Sequence, residues 1–304
     1  MGKIRHILVV AVTLCSFLTD CSGRVVGAVD TVRSGQARID TFLVHFWDGV
    51  DLSDSTLYVM PAAVAEDDGF SAMEEKAAAF FSILPSGSDS VAFRAVKALM
   101  DRAVAVSSGI DAYGFFMSAA EKYFYSVQSP YYCEELLLPF LEHKIARTDI
   151  PEIEKSREKF LLGLIRRNSV GRMAEDFSLG DGAGSLYGLL GSLSERQSLM
   201  IVFFSADCKD CMDGIARLKY SPAVSKKISE DELKVLAVCI EGRLKDVLSE
   251  IPSGWFKASD DGSIIRNSVY SIRHQPSIYI LDRGGVVILK DADVSSAIQF
   301  LLGY

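Results

Sequence analysis

Leu199-Met200-Ile201-Val202-Phe203-Phe204-Ser205-Ala206-Asp207-Cys208-Lys209-Asp210-Cys211 is the stretch on which the fold turns. Its first six residues form an unbroken apolar run rich in strand formers, the pattern of a strand covered on both faces. Ser205 to Asp207 interrupt the run, and Cys211 to Lys219 then follow a helical period. A Cys-x-x-Cys therefore falls where a strand gives way to a helix. A cysteine at a helix N-terminus faces unpaired amide groups and the positive end of the helix dipole, which favours its thiolate. The thiolate is the species that attacks disulfides. The two-residue spacer sets Cys211 one helical turn along, within reach of a mixed disulfide on Cys208.

Three plainer accounts compete with redox chemistry: two core thiols, a static disulfide and half of a zinc site. Zinc needs a second pair of ligands, whereas Cys133 and Cys239 stand alone and His45, His143 and His274 are scattered. Working outward, Leu233–Ile240 and Ile278–Leu281 are further apolar runs. Asp282-Arg283-Gly284-Gly285 makes a turn into Val286–Leu289, which predicts a hairpin. Helical stretches fall at Leu244–Glu250 and Val294–Leu302. Strands alternating with helices predict an α/β layered domain over 169–304, with helices on both faces of one sheet. Pro276 directly precedes a strand, the place in a sheet where a residue without an N–H is tolerated.

These residues carry a resemblance. Met173-Ala174-Glu175-Asp176-Phe177, the Cys-x-x-Cys after its strand, Pro276 before Ser277-Ile278-Tyr279-Ile280-Leu281-Asp282, and the closing hairpin together resemble the thioredoxin-like superfamily. The similar branch is that of membrane-tethered thiol–disulfide reductases and peroxiredoxin relatives. The resemblance implies an α/β/α sandwich with a central mixed sheet. It also implies a cis-proline at Pro276 which, with Gln275, lies against the cysteines and pairs with an extended substrate. Cys208 would then attack a substrate disulfide and Cys211 would resolve it, with no cofactor.

The chain departs from that family at several points. Asp207 stands where a tryptophan is usual, and the spacer is Lys209-Asp210. Val202 occupies the place of a buried acid, and Gly214 that of a glutamate three residues beyond the second cysteine. Asp213 and Glu241 are the remaining candidates for a general base. Lys209 favours the Cys208 thiolate while Asp207 and Asp210 oppose it, a local balance of −1 that predicts a reducing or near-neutral pair. Cys239 and Cys133 are expected to be packing thiols, Trp255 and Phe256 packing side chains, and His274 a surface residue.

Residues 37–168 read as helices. Val91, Ala95, Leu99, Ala103 and Val106 recur in steps of four or three. So do Phe115, Phe116, Ala119, Ala120, Tyr123 and Phe124, and, after Pro151, Ile153, Phe160, Leu161, Leu164 and Ile165. Breaks at Pro61, Pro85-Ser86-Gly87, Ser129-Pro130 and Asp149-Ile150-Pro151 divide the region into five or six helices packed as a bundle. Phe46-Trp47-Asp48, Glu121–Tyr125, Pro139–Glu142 and Phe160-Leu161 resemble a helical domain of unknown function. In exported lipoproteins of Gram-negative anaerobes that domain precedes a thioredoxin-like one.

The leader sets the expected location. Lys3 and Arg5 precede Ile7–Leu18, a hydrophobic stretch of 12 residues, too short to cross a bilayer, which takes about 20, and suited to an export signal. Leu18-Thr19-Asp20-Cys21 resembles a lipobox, with Asp20 where a small residue is usual. Cleavage and lipidation at Cys21, or cleavage after Ala28, are the two outcomes. The expected organisation is a signal peptide at 1–20, a tether at 21–36, the helical domain at 37–168 and the redox domain at 169–304. With 32 basic and 40 acidic residues the net charge is −8, and no basic run offers a nucleic-acid surface. Six cysteines in 304 residues are too few for a disulfide scaffold. The expected partners are an exported client carrying a disulfide, a reductant donor at the membrane, and the membrane itself through the lipid anchor, in a periplasm-facing envelope. The rival expectation is a non-catalytic envelope binding module with the same fold.

Overall fold

The computed structural model describes residues 25–59, 70–107, 109–180, 186–192, 196–260 and 262–303. The leader, with Cys21, and the break at Pro61 lie outside them. Among the described residues no helix is long and apolar enough to cross a membrane.

Among the described residues six α-helices make the N-terminal half: α1 Val25–His45, α2 Ala72–Ile83, α3 Asp89–Val104, α4 Ala112–Phe124, α5 Leu138–Ala146 and α6 Ser156–Arg166. Local chemistry sets their starts. The Ser71 side chain accepts from the amide of Glu74 at 3.1 Å, half of a capping box, and Asp111 accepts from the amide of Gly114 at 2.7 Å. The apolar faces meet in one core around Trp47, Phe80, Phe81, Phe116, Phe124 and Phe140, all buried. The face expected of α6 is narrower than its spacing suggests. Leu161 and Ile165 are buried, but Ile153 and Phe160 are 80% and 57% exposed: Ile153 lies in a 3-10 turn before the helix, out of phase with it, and Phe160 stands on the outer side of the helix.

The segment expected as a tether is helical from Val25 onward. The helix is anchored further along, where Leu43 is buried and Gln36 donates to Asp40 and to the Ser86 carbonyl, both at 3.0 Å. Extending an existing helix upstream costs far less than starting one.

The C-terminal half carries a seven-stranded mixed sheet, in the order β2-β1-β5-β4-β3-β6-β7. The strands are β1 Ser178–Gly180, β2 Leu186–Gly188, β3 Ser198–Ser205, β4 Leu233–Glu241, β5 Phe256–Ser259, β6 Ser277–Leu281 and β7 Val287–Ala292. β3, β4 and β5 run parallel, while β6 and β7 form the antiparallel hairpin. The continuous apolar run of β3 has the expected cause. Met200, Val202 and Phe204 face one core, and Leu199, Ile201 and Phe203 face the other. The first core is covered by α7 Lys209–Lys219, α8 Pro222–Ser229 and α9 Val294–Gly303. The second is covered by a single helical turn, Ser263–Arg266, and by Phe177, Leu189 and Tyr270. The predicted helix over Leu244–Glu250 is also one turn, Leu244–Val247.

The halves meet through specific bonds. Arg167 donates to the carbonyls of Asn267 and Ser268 at 3.0 and 2.8 Å, and Asn168 to that of Val269 at 2.8 Å. Lys290 donates to the Ile165 carbonyl at 2.6 Å.

Candidate active site

Register brings the site together. β6 is antiparallel to β3, so its first residue pairs with the last part of its neighbour, Ser277 with Phe203. The residues before β6 therefore meet the residues after β3, although about seventy positions separate them. β4 ends beside the same loop. Gly242 follows it at φ +80°, and a Cβ there would stand 2.9 Å from that of Ala206, so only glycine fits both the backbone and the space.

Cys208 is the N-cap of α7, with extended backbone, and its Sγ accepts from the amide of Cys211 at 3.0 Å. It is half-buried, while Cys211 is fully buried. The two sulfurs form a disulfide, with Cα atoms 5.2 Å apart. The more accessible sulfur is thus the one at the helix terminus, as nucleophilic attack requires. Lys209 and Asp210 are exposed in the first turn of α7.

The Gln275–Pro276 peptide bond is cis. Gln275 Oε1 stands 3.8 Å from Cys211 Sγ, where the reduced thiol can donate to it. Pro276 packs on α7 at Gly214, where a Cβ would stand 2.8 Å from the proline Cγ and 3.1 Å from Val294 Cγ2. Beside the pair runs a cleft of about 380 Å³ lined by Asp210, Asp213, Arg217, Gln275, Pro276 and Asp293.

Fold and comparison agree here. Over 88% of its length the chain is similar to a thioredoxin-like protein from Bacteroides caccae, 26% identical, covering 94% of that chain with a TM-score of 0.76. The C-terminal fold is thioredoxin-like. Over 44% of its length the chain is also similar to the C-terminal domain of an uncharacterized protein from Bacteroides fragilis, 25% identical, covering 98% of that chain with a TM-score of 0.42. Residues 31–168 match the model of a domain of unknown function, DUF5106. No curated protein matches the chain.

Among the described residues the core around Cys211 is apolar. Val202 is buried in the same core as that cysteine. Asp213 is exposed on the cleft, and Glu241 accepts from the Ser205 hydroxyl at 2.9 Å. Cys239 is 2% exposed, and burial pushes its thiol above the ordinary range. Burial does the same to half-buried Cys133, which packs against the helical core. Trp255 packs in the sheet core, but Phe256 is exposed beneath the Lys234 ammonium.

His274 is not the surface residue expected. Its ring is half-buried, with Nδ1 3.1 Å from the Pro276 carbonyl and Nε2 3.1 Å from the Asp291 carbonyl. Sequence reasoning also missed Gly214 as a site residue. A signal was present, since glycine inside a helix costs about 1 kcal/mol relative to alanine and needs a reason. Among the described residues no three metal-ligating side chains converge.

Proposed function

We propose that the protein is a thiol–disulfide oxidoreductase acting on protein disulfides in the cell envelope. The observation that carries this reading is the pairing of a half-buried Cys208 at the start of α7 with a buried Cys211 beside Pro276. In the reduced enzyme the Cys208 thiolate attacks a client disulfide, forming a Cys208–client bond and releasing one client thiolate. The Cys211 thiolate then attacks Cys208 Sγ. That step forms the Cys208–Cys211 disulfide and releases the second client thiolate, so two electrons pass from the pair to the client. Gln275 and Pro276 hold the client strand against the sulfurs, and Lys209 and Asp210 tune the acidity of Cys208.

Turnover calls for a reductant donor that returns two electrons to the pair. The leader supports export, and Cys21 a lipid anchor that would hold the enzyme at a membrane near that donor. The second reading, a non-catalytic envelope binding module, is favoured by Val202 at the place of the buried acid. Insulin reduction by the purified protein separates the two, with Cys208→Ser as control. Activity lost in that variant supports catalysis, whereas a parent no faster than its variant supports the module.

A further inference from the structure

Resting on the redox reading above, we propose that Glu134 of the helical domain positions the loop Arg273–Ser277, and through it the surface on which a client strand docks. The DUF5106 half would then serve the chemistry of the other half directly.

Arg273, two residues before Gln275, leaves its own domain and enters a pocket of the helical one. Its guanidinium stacks over the rings of Tyr132 and Tyr125, at 4.4 and 5.2 Å from their centroids. Its Nη2 lies 3.4 Å from Glu134 Oε2. Glu134 is 4% exposed and its other oxygen accepts from the Lys290 ammonium. On the opposite side Arg273 Nε donates to Asp291 Oδ2 at 2.7 Å, and Asp291 Oδ1 accepts from the Ser277 hydroxyl at 2.6 Å. Asp291 thus grips both ends of the five-residue loop, and Glu134 grips Arg273 from across the interface.

Two further observations set this apart from ordinary interdomain packing. Once Glu134 is ionised, above about pH 7, it and Asp291 balance Arg273 and Lys290, two negative charges against two positive, in a nearly water-free place. Removing one member strands an uncompensated buried charge, so the set holds or fails as a unit. Asp291 also sits at φ +45°, a left-handed conformation that a non-glycine residue keeps only where its surroundings fix it. The strained residue is the one that joins Arg273 to Ser277.

The test uses the full chain at pH 8, where Glu134 is ionised, with insulin as the probe substrate. Glu134→Gln keeps the shape and removes the charge, and Arg273→Lys removes the planar fork. Arg167→Ala is the control, because it loosens the same interface at Asn267 and Ser268 without touching the loop. The expected result for Glu134→Gln is a KM raised on the order of tenfold with kcat within about twofold. Faster deuterium uptake in a peptide spanning residues 273–277 should accompany it, with Arg167→Ala at parent values in both. Unchanged KM and uptake in Glu134→Gln would overturn the proposal, as would equal shifts in Arg167→Ala. If the parent reduces no insulin, the redox reading has failed, and deuterium uptake alone decides whether Glu134 holds the loop.

Discussion

Gly214 and Pro276 touch so closely that a β-carbon on the glycine would stand 2.8 Å from the proline Cγ. This contact seats the proline loop on the helix that begins with the cysteines, and it places Gln275 beside Cys211. Gly214→Ala tests it. Alanine gains about 1 kcal/mol of helix propensity, while crowding a packed contact costs about 1–3 kcal/mol. Pro276 is held by β6 behind it, so crowding is expected to win. A lower urea midpoint, with insulin reduction weakened further than stability alone explains, is the expected outcome.

The cysteines should differ sharply in reactivity. Burial holds the Cys239 thiol above the ordinary cysteine range, which disfavours the reactive thiolate. In the reduced native protein iodoacetamide should therefore label Cys208 first and Cys239 only after unfolding. Mass spectrometry of time points checks the order.

Glu134 gives stability a pH dependence. Burial, opposed by Lys290, raises its carboxyl from 4.5 to about 7. A folded value above the unfolded one means that the folded state binds the extra proton. The stabilisation is full below about pH 4.5 and is lost as pH rises through about 7, at most about 3 kcal/mol. Urea denaturation at pH 5 and pH 8 should show the parent losing more stability over that interval than Glu134→Gln.

The helical core should be as demanding as its rings suggest. Phe81 is fully buried and lies 5.0 to 5.9 Å, centroid to centroid, from Phe124, Tyr123, Phe80 and Phe140. Phe81→Ala should cost about 3–5 kcal/mol, read as a fall in the denaturation midpoint.

Much of this architecture was legible because local pattern and burial coincide. The apolar run Leu199–Phe204 became β3 since both faces of a central strand are covered. Pro276 was legible because a residue without an N–H is confined to few places in a sheet. What the sequence hid was pairing at long range. Nothing local to Glu134 points to Arg273 or Lys290, which lie more than a hundred positions further along the chain. His274 looked like a surface ring because the Pro276 and Asp291 carbonyls that flank it come together only when β6 pairs with β7. The helix that begins at Val25, inside the segment 21–36 expected as a tether, was not legible because its anchor lies downstream at Gln36 and Leu43.

The charges around Cys208 bear on its potential. Lys209 favours the thiolate while Asp207 and Asp210 oppose it, and exposed charges are worth about 1 kcal/mol or less each. The pair should therefore be more reducing than about −120 mV, the value of a strong oxidant. Equilibration in glutathione and dithiothreitol buffers, followed by alkylation, measures it.

In the proposed reaction Cys208 is the attacking sulfur and Cys211 the resolving one. Incubating reduced Cys211→Ser and Cys208→Ser variants with a disulfide-linked peptide, then mapping adducts by mass spectrometry, tests that division of labour most directly. A stable peptide adduct on Cys208 in the first variant and none in the second is the predicted result. No adduct in either variant, or equal adducts in both, would contradict it.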